Sequence, residues 1–238
     1  MTTIAANLQL VRSRIARAAR AAGRPESDIE LLAVSKTWPA ERVVEAYAGG
    51  QRVFGENYVQ ESVKKITEVE ALIARAGASP HDLEWHFIGP VQSNKARAIA
   101  ERFAWVHCVE REKVAVRLND ARPDRMPPLN VCVQVNVSGE ASKRGVAPED
   151  APALAHAVAR LPRLRLRGLM AIPEPTADAG RQRRRCAQLR ELRDRLNAGG
   201  LALDTLSMGM SDDLEAAILE GATIVRVGTA IFGQRRKG

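Results

Sequence analysis

Residues 206–233, LSMGMSDDLEAAILEGATIVRVGTAIFG, decide the fold class. An apolar run through Met210 gives way to a helical pattern that opens at Ser211 as N-cap and stops at Gly221. A β-branched run from Thr223 to Val227 follows. Strands that are apolar along nearly their whole length are covered on both faces, as in parallel sheets with helices packed outside. The stretch therefore reads as one strand–helix–strand unit.

Outward from it the same alternation recurs. The β-rich runs are IELLAVSK from Ile29, RVFGEN from Arg52, EWHFIGP from Glu84, WVHCVE from Trp105, LNVCVQVNV from Leu129 and LRGLMAI from Leu166, followed by TLSMGM from Thr205 and TIVRVGTAIFG from Thr223. Helical patterns lie between them, the first starting at Pro39 in PAERVVEAYAGG. Eight such units joined by short connections predict an α/β protein, a (β/α)8 TIM barrel over residues 1–238 as a single domain, ahead of an open doubly wound sheet. No helix is expected after the last strand, where QRRKG follows. The amphipathic segment 3–22, with Ile4, Leu8, Val11 and Ile15 on one face, is expected to cover that gap.

Composition narrows the function classes. A chain of 238 residues that is 45% hydrophobic can bury one sizeable core. Neither a signal-peptide core nor a run long enough to span a membrane is present in the sequence, so a cytoplasmic protein is expected. Cys108, Cys132 and Cys186 are odd in number and outside any CxxC pattern, which points to neither a disulfide framework nor a metal site. The net charge of +8 comes with 29 Arg against 7 Lys in an Ala-rich chain, a pairing that composition bias explains as well as a binding surface does. In RQRRRCAQLRELRDR, from Arg181, leucines and acids interleave with the arginines at helical spacing. The readings left open are a solvated helix face and a polyanion site, and the run has no aromatics to stack on bases. Nucleic acid is not the expected partner.

In such a barrel the functional face lies at the C-terminal ends of the strands. Those ends carry Lys36, Asn57, His86, Glu110, Asn136, Met170, Ser207 with Met208, and Arg226 with Gly228. Lys36 shares strand parity with Leu32 and Val34, so an inward amine would be partly desolvated, which favours the neutral nucleophile that condenses with a carbonyl. A rim lysine paired with a carboxylate is the alternative. After strands seven and eight, Ser207, Ser211, Gly228 and Thr229 offer hydroxyls and backbone N–H groups where barrels of this kind bind phosphate, although Ser211 could serve only as a helix cap and Gly228 only as a turn. Arg226 shares a face with Ile224, and a buried guanidinium needs an acceptor, either a carboxylate or the ring nitrogen of a heterocyclic cofactor.

An amine for an aldehyde, paired loops for a phosphate and an arginine for a ring nitrogen together describe pyridoxal 5′-phosphate (PLP). The blocks AVSKTWPAE, VFGENYVQE, WHFIGPVQSNK, VQVNVSGEASKRGV, LRGLMAIPE and LSMGMSDDLEAAILEGATIVRVGTAIFG, in that order along almost the whole chain, resemble the YggS/PROSC family of PLP-binding homeostasis proteins. The barrel of that family is similar to the N-terminal barrel of alanine racemase. The resemblance implies that Lys36 holds PLP as an internal aldimine and that Arg226 faces the pyridine nitrogen. It implies that Ser211, Gly228 and Thr229, with Ser207 nearby, bind the phosphate, and that Met170 and Ile172 pack on or near the ring. Asn57 and His86 match polar pocket positions, and an inward His is also a common structural residue.

An arginine at the ring nitrogen can only donate, so it favours the neutral pyridine and a weak electron sink. The resembling racemase also uses Arg, so this alone does not exclude turnover. Two-base racemisation needs a further group on the face opposite the lysine. In alanine racemase that group is a tyrosine from another domain of the partner subunit; here Tyr47 and Tyr58 sit in early, helical-looking segments. The expectation is a non-catalytic carrier that keeps free PLP low and hands it to apo-enzymes, as a monomer or weak dimer with no catalytic residue assigned. A PLP-dependent amino-acid racemase or decarboxylase is the alternative, and a cofactor-free aldolase ranks last because it leaves Arg226 without a task. Lys143, in GEASKRG, is a second amine or phosphate contact or a solvated loop lysine.

Overall fold

The computed structural model describes residues 3–139 and 144–234. Lys143 therefore lies outside the described residues. All eight expected strands form: β1 Glu30–Val34, β2 Val53–Glu56, β3 Glu84–Phe87, β4 Trp105–Val109, β5 Leu129–Gln134, β6 Leu164–Met170, β7 Thr205–Ser207 and β8 Ile224–Val227. They pair in parallel in chain order, and β8 returns to β1 with Glu30 opposite Ile224 and Leu32 opposite Arg226, closing the barrel. The helices are α1 Ile4–Ala21, α2 Ala40–Ala48, α3 Val59–Arg75, α4 Ala96–Arg102, α5 Glu112–Ala121, α6 Ala151–Ala159, α7 Ala179–Ala198, α8 Leu214–Leu219 and α9 Thr229–Phe232.

Strand alternation divides the buried side chains between two cores. Leu32, Val34, Ile88, Trp105, Cys108, Cys132, Met170 and Ile224 pack together inside the barrel. Ala33, Phe54, Phe87, Val106, Val131, Leu169 and Val225 belong to the larger core shared with the helices. Between Val106 and Val109, β4 carries one residue more than β5 does between Val131 and Val133. Such a bulge breaks the two-residue period. Trp105 and Cys108 both face the interior core as a result.

The N-terminal helix does what its periodicity predicts. Ile4, Leu8, Val11 and Ile15 are all buried, Thr3 Oγ1 accepts from the Ala6 N–H as N-cap, and α1 packs against α2, α8 and α9. Contrary to expectation, one helical turn, α9, does follow β8; Asn7 Nδ2 donates to Ile231 O at 2.8 Å and satisfies a carbonyl of that turn. A second departure concerns Ser211, which does not cap α8. Asp213 holds the N-cap position, and its Oδ1 accepts from the Met210 N–H at 2.6 Å, so the Ser211 hydroxyl is not spent on the helix.

The arginine-rich helix α7 is largely neutralised by neighbouring acids. Arg183 and Arg190 both reach Glu220, whose side chain is 8% exposed, and Arg185 is buried against Glu174. Leu189, Leu192 and Leu196 are buried on the face turned to the barrel. Removing the charge that holds two arginines in place should cost about 1–2 kcal/mol. Glu220→Gln is therefore expected to lower the thermal midpoint by a few degrees, and an unchanged midpoint would mean that the α7–α8 pairing is incidental.

Candidate functional site

At the C-terminal mouth of the barrel lies a cavity of about 240 Å³. β1 stops at Val34, and the next three residues leave the sheet with Ser35 buried and Lys36 half-buried in the cavity lining. Thr37 takes φ of 66°, a left-handed conformation that costs a side-chain-bearing residue about 1–2 kcal/mol. A buried ion cluster holds this strained turn. The Thr37 N–H donates to Glu61 Oε1 at 2.7 Å. Lys65 Nζ donates to Ser35 O at 2.9 Å and to Glu56 Oε1 and Glu61 Oε1, both at 2.8 Å. Ser35 Oγ completes the set by donating to Glu56 Oε1 at 2.7 Å. The backbone on both sides of Lys36 is thereby fixed to the end of β2 and the first turns of α3.

Glu56 is fully buried, and its Oε2 has no hydrogen-bond partner among the described residues. Burial pushes its carboxyl up from the ordinary range, against the downward pull of Lys65 and Ser35. None of Glu56, Glu61 and Lys65 figured among the candidate residues. The four-residue spacing of Glu61 and Lys65 and the acid at the end of VFGE were the available signals.

Arg226, 4% exposed, also lines the cavity. Its Nη1 donates to Ser207 Oγ at 2.7 Å and its Nη2 to Ala171 O at 2.8 Å. No carboxylate forms an ion pair with it among the described residues, so the carboxylate alternative drops away. Burial lowers its pKa from the usual arginine value, yet a guanidinium keeps its proton and can only donate.

Across the mouth, Ser211, Gly228 and Thr229 present two hydroxyls and a stretch of backbone without bulk. Ser211 Oγ accepts from the Ala230 N–H at 3.5 Å, a long contact that leaves most of its capacity unused. Gly209, at φ of 93°, turns the chain there, and a Cβ on it would sit 2.6 Å from that of Ala217. Val34, Ile88, Met210 and Trp38 give the cavity apolar walls, and Trp38 stacks on Phe232 of α9 with ring centroids 6.1 Å apart. Asn57 Oδ1 is buried in the lining with no partner among the described residues. An amine, a donating guanidinium, hydroxyls beside a glycine, apolar walls and an orphaned acceptor fit PLP, which has an aldehyde, a ring nitrogen, a phosphate, a flat ring and a ring hydroxyl.

Seven sequence candidates thus meet in one cavity: Lys36, Asn57, Ile172, Ser211, Arg226, Gly228 and Thr229. Three do not line it. Met170 is wholly buried in the interior core, Ser207 is buried beneath Arg226, and His86 is buried deeper, with Nε2 on Glu84 Oε1 at 2.7 Å and Nδ1 on His107 Nε2 at 3.0 Å. Trp38, Ile88, Met210 and Asp212 join the lining without having been singled out: Ile88 directly follows β3 and belongs to the interior core, and the other three stand on loops beyond β1 and β7. Neither tyrosine lines the cavity: Tyr47 donates to Ser79 O on the outside of the barrel, and Tyr58 is exposed. Burial pushes the Cys108 and Cys186 thiols up to about 12 and raises that of Cys132, so none is a nucleophile.

Comparison with known proteins gives the same direction. A family model described as alanine racemase, N-terminal domain, matches residues 6–236. The chain is 62% identical to the pyridoxal phosphate homeostasis protein of Pseudomonas aeruginosa, over 100% of this chain and 98% of that one. It is 53% identical to the Escherichia coli protein of the same name, over 99% and 98%. Among solved structures, PipY of Synechococcus elongatus with PLP bound is similar at 38% identity and a TM-score of 0.81, covering 97% of this chain and 100% of that chain.

Proposed function

We propose, for a chain that belongs to the pyridoxal phosphate homeostasis proteins and to the wider family of the alanine racemase N-terminal domain, that the cavity at the barrel mouth holds PLP. On this reading residues 1–238 make one cofactor-binding domain that stores PLP and passes it to apo-enzymes. The observation that carries it is the meeting of Lys36, two residues past the first strand, and Arg226, in the last, at one cavity with two hydroxyls and a glycine. When bound, PLP supplies an aldehyde that an amine can hold reversibly, and Lys36, in the cavity lining, is the amine that would hold it.

The remaining residues bind and orient. Ser211, Thr229 and the Gly228 backbone would take the phosphate through neutral hydrogen bonds, which suits a group that must also leave. Asn57 Oδ1 accepts from a donor on the ring, and Ile88, Met210 and Ile172 exclude water from its faces. Arg226 donates toward the ring nitrogen and disfavours its protonation. A ring held in this way would be a poor sink for electrons, and among the described lining residues only Lys36, Asp212 and Arg226 carry charged or ionisable side chains. Both points support storage over turnover. Among the described residues no helix is long and apolar enough to cross a membrane, and buried free thiols suit a reducing cytoplasm.

Protein loaded with PLP and mixed with a PLP-requiring apo-enzyme should restore that enzyme's activity as its own visible band falls. Amino acids offered to the loaded protein in heavy water should show no rapid exchange of the α-proton. Rapid exchange with any of them would instead favour an enzyme that breaks the Cα–H bond, such as a racemase, and release of carbon dioxide would favour a decarboxylase. The ring nitrogen has its own test: the ¹⁵N shift of labelled PLP should report an unprotonated pyridine in the wild type. In Arg226→Glu it should move toward the protonated position, and an unmoved shift would remove Arg226 from the ring.

A further inference from the structure

We infer that Glu84, His86, His107 and Ser207 form a one-way chain of hydrogen bonds through the barrel interior that orients Arg226, so that Glu84 and His107 act as positioning residues for the cavity without touching it. The link to cofactor binding rests on the PLP reading above; the chain itself does not.

The direction follows from its two ends. Arg226 has no acceptor, so Nη1 donates to Ser207 Oγ at 2.7 Å. The Ser207 hydroxyl hydrogen has His107 Nδ1 as its partner at 2.7 Å. His107 Nε2 lies 3.0 Å from His86 Nδ1, and His86 Nε2 lies 2.7 Å from Glu84 Oε1. Glu84 sits at the first position of β3, at the end of the barrel away from the cavity. The hydrogen bond from His86 holds its carboxyl below the usual range, against the upward effect of burial, and a carboxylate can only accept. With both imidazoles neutral, one arrangement satisfies all four contacts: each ring carries its proton on Nε2 and accepts at Nδ1.

Protonating either ring would undo this. An imidazolium at His86 would donate from Nδ1, force the proton of His107 onto Nδ1 and leave Ser207 facing two donors. Burial, then His86 and Arg226, push the His107 pKa well down, because a second cation in the barrel interior is costly. The surroundings act on both sides: Trp105 stacks on His86, Arg167 lies over the Trp105 ring, and Glu30 brings a carboxylate oxygen within 4.8 Å of the ligand-type atoms of Glu84 and His86. Cys108 and Cys132, in the same interior, stay thiols. The guanidinium is thus tied at Nη1 by this chain and at Nη2 by Ala171 O, which fixes its plane and the direction of its remaining N–H groups. The acceptor that orders the whole series is Glu84.

The test uses the full chain labelled with ¹⁵N at histidine. Without PLP, long-range ¹H–¹⁵N spectra should show His86 and His107 neutral and protonated on Nε2. Glu84→Met, at a side chain 43% exposed, should fold and scramble the tautomers of both rings, while Glu84→Gln, which keeps an acceptor oxygen, should restore them. With PLP loaded, Glu84→Met should release the cofactor about 2- to 10-fold faster than either the wild type or Glu84→Gln. A charged ring or the opposite tautomer in the wild type, or unchanged rings in Glu84→Met, would overturn the chain. Scrambled rings with unchanged release would overturn its positioning role. A wild type that takes up no PLP would end the PLP reading and leave the tautomer result standing.

Discussion

Lys36→Ala is expected to abolish the PLP adduct that borohydride traps on the wild type. Reduction makes the link to an amine permanent, so intact mass and peptide mapping report where the cofactor was held. The wild type should carry one adduct, on the peptide containing Lys36. The buried amine of Lys65 does not compete, because its three N–H bonds are spent on Ser35 O, Glu56 and Glu61 and its side chain is 5% exposed. Lys36→Arg, which keeps the charge and cannot form the link, should behave like the alanine variant. A full adduct in either variant, or one mapped to another lysine in the wild type, would remove Lys36 from the role of tether.

The second large effect concerns the support behind that lysine. Lys65→Met leaves Glu56 fully buried with its cation gone, and breaking a buried pair from one side costs about 3–5 kcal/mol. For a domain of this size that is a fall on the order of 10 °C in the thermal midpoint. Acidification should recover part of it. The folded pKa of Glu56 already lies above the ordinary value because of burial, and losing Lys65 raises it further. The folded state then binds a proton more tightly than the unfolded chain, whose glutamates titrate near about 4.3, so stability rises as pH falls through the folded value. Adding Glu56→Gln to Lys65→Met should likewise recover stability, since the orphaned charge is gone. If the single variant melts with the wild type at neutral pH, the cluster is not holding the Ser35–Thr37 turn.

Much of this was legible in the sequence because periodicity and strand ends are local. The eight βα units, the buried face of α1 and six of the lining residues follow from patterns within about ten residues of one another, while Ile172 came only from the family resemblance. What stayed hidden depends on which distant side chains meet. His107 could not be assigned from alternation, since the bulge in β4 shifts the faces of the residues around it. His86 ends no strand; Phe87 follows it in β3, and the ring points down the barrel rather than out of its mouth. Ser211 resembled a cap because Ser and Asp are interchangeable there, and only the fold shows that Asp213 takes the position.

The pairing of Glu30 with Ile224 also sets an order in time. As the ribosome delivers the chain from its N-terminus, Lys36 emerges among the earliest segments and Arg226, Gly228 and Thr229 among the last. Contacts so far apart in sequence form slowly, and the barrel cannot close before β8 is released. If Lys36 is the tether proposed above, a nascent chain thus exposes that lysine long before it owns a pocket, and cofactor loading is then a task for the finished molecule rather than a step in its synthesis.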